Sequence, residues 1–348
     1  MNIRDVEVIA PNFKRRLSGV TSTIIQLLPL QARTIGIATM GPDVLPRDVP
    51  RLPYSALLAL WSRPARRRHR IWHARRNVEM LAGIVLRDVL RMPLKLLFTS
   101  AAQRRHTRWT RFLIRRMDAV IATSSRSASY LDVPARVVMH GVDLERFRPD
   151  GELPAGELAD RLAGRLVIGC CGRIRHQKGT DLFVDALLAV LPDHGDWTAV
   201  ITGRTTPEHA AFERALRGRI TAAGLEARIL FAGEVPDIAP WFRHFDLYVA
   251  PPRNEGFGLT PLEAMASGTP VVTSDAGAFA ELVVEGVTGR VVPAGDADAL
   301  GAAIRPYLAD APLRAATAAA ALAHVRVHFA LEREAAEIAA IYDTLWAD

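Results

Sequence analysis

The sequence predicts an α/β protein built from two doubly wound domains, and three observations carry that prediction. Short β-rich runs alternate with helical patterns in both halves, the order that yields parallel sheets covered by helices on both faces. The length of 348 residues is that of two ordinary domains. A polar stretch rich in Pro and Gly, FRPDGELPAGELADRLAG (147–164), separates the halves as a linker would. The expected division is therefore 1–150, 151–330 and a C-terminal helix over 331–348. Doubly wound domains bind ligands where strand C-termini open, so the two are expected to face a cleft.

In the second half strands are expected at LVIGCC (166–171), TAVIT (198–202), RILFA (228–232), DLYVA (246–250), VVTS (271–274) and RVVP (290–293). Helical patterns fill 180–191, 207–223, 260–267 and 296–308 between them. The first half repeats the theme less cleanly. Strands are expected at VEVIA (6–10), RTIGIA (33–38), LKLLF (94–98), AVIAT (119–123) and RVVM (136–139). Helices are expected over 20–30, 77–90, 104–116 and 124–131. Segment 40–70, rich in Pro and Arg, is assigned no element. From about Leu331 to Trp346 the tail reads as one amphipathic helix.

Composition narrows the class. At 49% hydrophobic and 23% charged the chain is not intrinsically disordered. No apolar run of about 18 residues is free of charge, so no membrane span is expected. MNIRDVEVIAPNF at the start lacks the pattern of a secretory signal. Cys170 and Cys171 are adjacent, poor disulfide partners, and lie in no metal-ligand spacing, which suits a reducing, cytoplasmic compartment. The net charge of +7 conceals a split: residues 1–150 carry +16 and residues 151–348 carry −9. A basic half of this kind suits nucleic acid, a membrane surface or a phosphorylated acceptor.

Two loops carry the densest chemistry. GRIRHQKG (172–179) follows a buried strand and opens a helix. Gly172 permits a tight turn, and Arg173 and Lys178 stand near a positive helix N-terminus, an arrangement suited to a diphosphate. The pattern is not a P-loop, since GxxxxGK[ST] is absent, and an ordinary basic loop has the same composition. RNEGFGLTPLEAMASG (253–268) places Glu255 and Glu263 eight residues apart. Gly256 and Gly258 free backbone N–H groups before a helix, with Thr260 as its expected N-cap and Pro261 at its first position. Thr260-x-x-Glu263 makes a capping box, which would explain Glu263 structurally. Glu255 precedes the glycines with no such structural explanation and is the better ligand contact.

The first half offers fewer candidates. In NFKRRLSGVTST (12–23), Ser18 and Gly19 would open the first helix. His73, in IWHARRN (71–77), and His106, in FTSAAQRRH (98–106), are possible general bases or merely solvated. His140 and Asp143, in MHGVDLERFRP (139–149), are equally read as turn formers. DAD (296–298) is better explained as a helix cap than as a metal site. GxSxG, HExxH and a GxGxxG after the first strand are all missing, which argues against hydrolase, zinc protease and dinucleotide readings.

Taken together, GR…KG at 172–179, EGFGLTPLEAMASGTPVV at 255–272, GVTGRVVPAGD at 286–296 and HGVDLERFRP resemble the retaining family-4 glycosyltransferases of the GT-B fold. The first half, in IWHARRNVEMLAGIVLR (71–87) and LKLLFTSAAQRRHTRWTRFLIRRMDAVIATS (94–124), resembles the lipopolysaccharide core mannosyltransferases of α-proteobacteria. The resemblance implies a nucleotide-sugar donor, GDP-mannose, and a lipopolysaccharide-core or other lipid-linked acceptor at the inner face of the plasma membrane. It implies that Arg173 and Lys178 hold the diphosphate and that Glu255 meets the transferred sugar. Gly256, Phe257, Gly258 and Leu259 would lie near sugar and phosphate, Glu263 near the ribose hydroxyls, and Gly19 near the phosphates from the first domain. Many relatives carry a His after the strand equivalent to 94–98; this chain has Thr99 and Ser100, so no such role carries over.

In this reading catalysis rests on Glu255, Arg173 and Lys178. Fixed cations and helix dipoles would take up the charge that grows on the leaving diphosphate, with no metal or other cofactor. The Arg-rich stretch 104–116 would dock on an anionic membrane surface or be an ordinary surface helix. Competing readings are a transferase using a UDP-sugar on another envelope polysaccharide, a sugar-nucleotide-binding module without activity, and a basic nucleic-acid-binding protein. No recognised nucleic-acid motif supports the last, so no nucleic-acid partner is expected.

Overall fold

Short runs of β-branched and apolar residues, each followed by a helix, build two parallel sheets. The computed structural model describes residues 2–14, 19–42 and 49–347, with only the backbone of 19–22. The chain forms two compact units, Met1–Gly141 with Leu331–Asp348, and Val142–Ala330.

Unit 1 runs β1 (Val8–Pro11), α1 (Gly19–Gln31), β2 (Ile37–Met40), β3 (Arg51–Leu52), β4 (Arg70–Ala74), α2 (Asn77–Ile84), β5 (Leu94–Ser100), α3 (Arg108–Ile114), β6 (Ala119–Ala122), α4 (Ser125–Ala128) and β7 (Arg136–Val137). The strand order is β3-β2-β1-β4-β5-β6-β7, parallel throughout. Successive strand residues point to opposite faces and fill two cores. Trp72 and Leu96 join Met80 and Leu113 under α2 and α3. Ile71, Leu97 and Ile121 join Ile24 and Leu27 of α1 on the other face.

Unit 2 runs α5 (Glu157–Arg161), β8 (Leu166–Cys171), α6 (Thr180–Val190), β9 (Trp197–Thr202), α7 (Ala210–Ala222), β10 (Ile229–Gly233), α8 (Ala239–His244), β11 (Leu247–Ala250), α9 (Thr260–Ala266), β12 (Val271–Ser274), α10 (Phe279–Leu282), β13 (Gly289–Val292), α11 (Ala297–Ala309) and α12 (Ala311–His328). Its parallel order is β10-β9-β8-β11-β12-β13. The order reverses between β8 and β11, which pair directly through Leu247 with Ile168 and Tyr248 with Gly169. Such a switch point leaves a crevice at the strand C-termini, where ligands of doubly wound sheets bind. The α/β, two-domain Rossmann-like expectation is met. Among the described residues no helix is long and apolar enough to cross a membrane.

The domain boundaries differ from those expected. Residues 142–150 belong to unit 2, where Phe147 is buried with its ring 6.1 Å from Phe242 and Arg146 bonds Asp237 at 2.7 Å. The polar stretch 147–164 is therefore part of unit 2, not the link between units. The tail is a helix as expected, α13 (Leu331–Ala347), but it packs on unit 1, burying Ile338, Ile341 and Tyr342 beside Ile71 and Leu97. Several helices also end early. The 77–90 pattern becomes α2 and one wider π turn, Val85–Val89. Only Arg108–Ile114 of 104–116 is helical, capped by Thr107, whose hydroxyl accepts from the Thr110 N–H at 3.2 Å.

Candidate functional site

The two motif loops leave adjacent strands at the switch point of unit 2. After β8, Gly172 turns the chain, and the loop closes in a single 3-10 turn, His176–Lys178. Gly179 follows at φ 68°, the left-handed region, and opens α6. A Cβ at Gly179 would collide with the carbonyl oxygen of Pro251, so glycine is required for this loop to touch the one after β11.

Arg253 ties the two loops together. Its backbone N–H donates to the Gln177 carbonyl at 3.0 Å, and its guanidinium donates to the His176 carbonyl at 2.8 Å. The same guanidinium grips Asp181, in the first turn of α6, through two bonds of 2.7 and 2.8 Å. Burial favours the neutral acid at Asp181, but Arg253 outweighs it and holds the carboxyl below its usual range. This bidentate pair makes a stiff base for the loops.

On that base Lys178 and Glu255 meet. The Lys178 ammonium donates to Glu255 Oε2, and Glu255 Oε1 accepts from the Gly256 N–H at 3.0 Å. Glu255, expected to have no partner of its own, is thus paired with a second residue of the same candidate site. Both side chains remain partly accessible. Gly258 lies at φ 87°, and a Cβ there would strike the Phe279 ring. Phe257 is buried, its carbonyl accepting from the Ala278 N–H at 3.2 Å, whereas Gly256 and Leu259 are half-buried. Arg173 is exposed on the first loop.

Glu263 corrects a second expectation. Thr260 is the first helical residue of α9, Leu259 is its N-cap, and no side chain caps it, so the capping box does not form. Instead burial pushes the Glu263 carboxyl up to about 7, against the opposing charge of Arg146. Its charge also helps raise Cys171 at the end of β8 and Tyr248 of β11, after burial, the main cause at both. Arg146, Asp181 and Arg253 were not singled out from sequence. The signal available was Arg253 directly before NEG, at the head of the second motif.

The cysteines carry no thiolate chemistry: burial pushes Cys170 up to about 12 and Cys171 up as well. Asp296 caps α11, accepting from the Ala299 N–H at 2.8 Å. Among the described residues no three His, Cys, Asp or Glu side chains gather as a metal site.

In unit 1, Ser18 lies outside the described residues, and Gly19 is the first residue of α1. His73 is neither solvated nor available as a base. It is fully buried, with Nδ1 bonded to the Tyr342 hydroxyl and Nε2 to the Thr99 hydroxyl, both at 2.7 Å. Burial and then Arg75 keep it neutral, well below its ordinary pKa. His106 is half-buried and sits 3.3 Å from Ser100 Oγ. His140 pairs with Glu334 at 2.7 Å, and Asp143 forms the turn read from sequence, accepting from the N–H groups of Glu145 and Arg146 at 3.0 and 3.1 Å.

A doubly wound domain with cations and a carboxylate at its switch point has the arrangement in which such sheets bind ligands, and comparison with known proteins specifies its family. Residues 165–310 match the family model "Glycosyl transferases group 1". The chain is 63% identical over 348 residues to the lipopolysaccharide core biosynthesis mannosyltransferase LpcC of Rhizobium leguminosarum bv. viciae, covering 100% of this chain and 99% of that one. It is 55% identical to the lipopolysaccharide core biosynthesis mannosyltransferase LpsB of Rhizobium meliloti (strain 1021), over 99% of each. Among solved structures it is similar to Anabaena HepE in complex with UDP, with a TM-score of 0.83 and 20% identity over 97% of this chain and 100% of that one. The chain belongs to the group 1 glycosyltransferases of the GT-B fold, in the family of LpcC and LpsB.

Proposed function

We propose that the protein transfers mannose from GDP-mannose to a lipopolysaccharide-core acceptor, with retention of anomeric configuration, at the inner face of the plasma membrane. The single observation that carries the site assignment is the meeting of Lys178 and Glu255 at the β8/β11 switch point. The acceptor and sugar follow from relatives that align end to end with this chain.

The residues suggest how transfer proceeds. In the donor-free protein Lys178 and Glu255 neutralise each other. A nucleoside diphosphate entering beside α6 competes for Lys178, helped by Arg173 and the helix N-terminus. Lys178 then turns to phosphate, and Glu255 is released towards the sugar. As the sugar–phosphate bond breaks, negative charge grows on the diphosphate and positive charge on the sugar ring. The two cations meet the first and Glu255 the second, each already in place. The leaving phosphate takes the acceptor proton on the face it vacates, so the anomeric configuration is kept. Glu263 accepts from the ribose hydroxyls. Arg173 and Lys178 supply the charge that a divalent cation would otherwise supply, so transfer proceeds without one.

The test is incubation of the protein with GDP-mannose and truncated lipopolysaccharide core, with and without EDTA, reading product mass and anomeric configuration. Retained α-mannosyl product, unaffected by EDTA, is expected. Activity only with a UDP-sugar would replace the donor assignment, and activity abolished by EDTA and restored by Mn²⁺ would overturn metal independence.

A further inference from the structure

The sheet of unit 1 has a switch point of its own. Its strand order reverses between β1 and β4, and the C-termini of strands at such a reversal are where doubly wound sheets bind ligands. Ile9 pairs with Trp72, and Ala74 pairs with Phe98. Continued along the strands, that register sets Asn12, Arg75 and Thr99 side by side at the C-terminal ends of β1, β4 and β5.

Asn12 is only 1% exposed and carries an unpaired donor. Its Oδ1 accepts from the Arg76 guanidinium at 2.6 Å. A guanidinium only donates, so this bond fixes which end of the amide is oxygen and which is nitrogen. The Nδ2 group is buried with no hydrogen-bond partner among the described residues. Buried donors are nearly always paired, and one left open at a switch point marks where a ligand oxygen arrives.

Half-buried Arg75 supplies a charge in the same row. The nearby carboxylate of Glu79 is already engaged: Oε1 accepts from Arg76 at 2.9 Å, and Oε2 accepts from the Arg75 backbone N–H at 2.8 Å. The Arg75 guanidinium itself makes one long bond, 3.5 Å to the His73 carbonyl, and no ion pair among the described residues. Burial lowers its pKa, and the oxygens of Tyr342, Glu79 and Glu334 do not fully offset that. At the end of the row the Thr99 hydroxyl is anchored by neutral His73, which adds no charge.

We propose that Asn12 and Arg75 bind an anionic oxygen group of the acceptor, a carboxylate or a phosphate, and so select charged over neutral saccharides. Asn12 Nδ2 donates to one oxygen, and the planar Arg75 fork matches the group as a whole. A neutral hydroxyl satisfies the amide but leaves the guanidinium unmatched. A divalent cation does not fit, because the open groups of both side chains only donate. The assignment rests on the lipopolysaccharide-core acceptor proposed for the protein and adds the residues that recognise its charge.

The experiment is equilibrium titration of the full chain with truncated lipopolysaccharide core in three forms: intact, with its phosphates removed, and with its carboxyl groups esterified. The parent, Arg75→Gln and Asn12→Asp are compared, with thermal melts and titrations with GDP and UDP as controls of fold and donor site. The parent is expected to bind at least one neutralised core about tenfold or more weakly than the intact one, which identifies the group. Arg75→Gln should bind intact core about tenfold or more weakly than the parent does, and no longer distinguish it from that neutralised form. Asn12→Asp keeps an oxygen for Arg76 and turns the open donor into an acceptor. It should weaken binding of intact core as much, and serves as the test should the first variant fail to fold. Folded variants that bind intact core like the parent, or a parent that binds all three cores alike, would overturn the site and leave the acceptor reading in place. A parent that binds no core would overturn both. Loss of nucleotide binding in folded Arg75→Gln would reassign the arginine to the donor and overturn its role here.

Discussion

Lys178 and Glu255 illustrate what a sequence reveals about a residue and what it hides. Both stand out in their motifs, but their pairing spans two loops and depends on Gly179 fitting beneath Pro251 and on Arg253 gripping Asp181. Because the pair is partly accessible, its contribution to stability is only about 0–1 kcal/mol. Glu255→Gln is therefore expected to melt within a few degrees of the parent while losing about tenfold or more in turnover, read from paired thermal melts and donor-titrated kinetics. Glu263 behaves differently. The sequence pattern assigns it to a capping box, in which its loss would destabilise the protein, but α9 begins one residue too early for Thr260 to serve as cap. What remains is a carboxyl raised by burial to about 7. A raised acid stabilises the fold while protonated, below about pH 4.5, and that contribution is lost as pH rises through about 7. Glu263→Gln should thus match the parent near pH 5 and exceed it by roughly 1–3 kcal/mol at pH 8 in chemical denaturation. If the ionised carboxylate accepts from ribose, nucleotide binding by the parent should tighten by up to about tenfold from pH 6 to 8 and stay flat in the Gln variant.

At the scale of elements, the β-runs of the second half are legible to within about a residue, because fully buried parallel strands are short, apolar and punctuated by turns. The first half is less so, for reasons visible in particular residues. Arg70 reads as one more surface arginine of a basic tract. It is fully buried instead, donating to the carbonyls of Val6 at 2.8 Å and Ile3 at 2.9 Å, with burial lowering its pKa to about 10. The strand it opens, β4, lies partly in the segment that sequence patterning leaves unassigned. Likewise α13 is legible as an amphipathic helix, but its destination is not. It closes on unit 1 through Tyr342 on His73 and through Glu334 on His140 and the Gly141 N–H, contacts more than 190 residues apart in sequence. Tyr342→Phe strips a buried imidazole of one partner and should cost about 1–3 kcal/mol, with loss of unit 1 signals before those of unit 2 in thermal unfolding followed by hydrogen exchange. A variant as stable as the parent would show that the tail is only appended to unit 1.

For the whole molecule, two sheets of like topology carry opposite charge. The basic unit holds Asn12, Arg75 and Thr99 in a row at its switch point, and the acidic unit holds the paired cation and carboxylate at its own. The central assignment is that Lys178 and its loop deliver a hexose from a nucleotide sugar. It is tested most directly by mass analysis of truncated lipopolysaccharide core after incubation with GDP-mannose and either the parent protein or Lys178→Ala. The expected result is an acceptor heavier by one hexose with the parent, and a rate lower by about 10²-fold or more with the variant, the scale of losing one preorganised charge at the departing phosphate. Unmodified acceptor with the parent, or full turnover with Lys178→Ala, would contradict it.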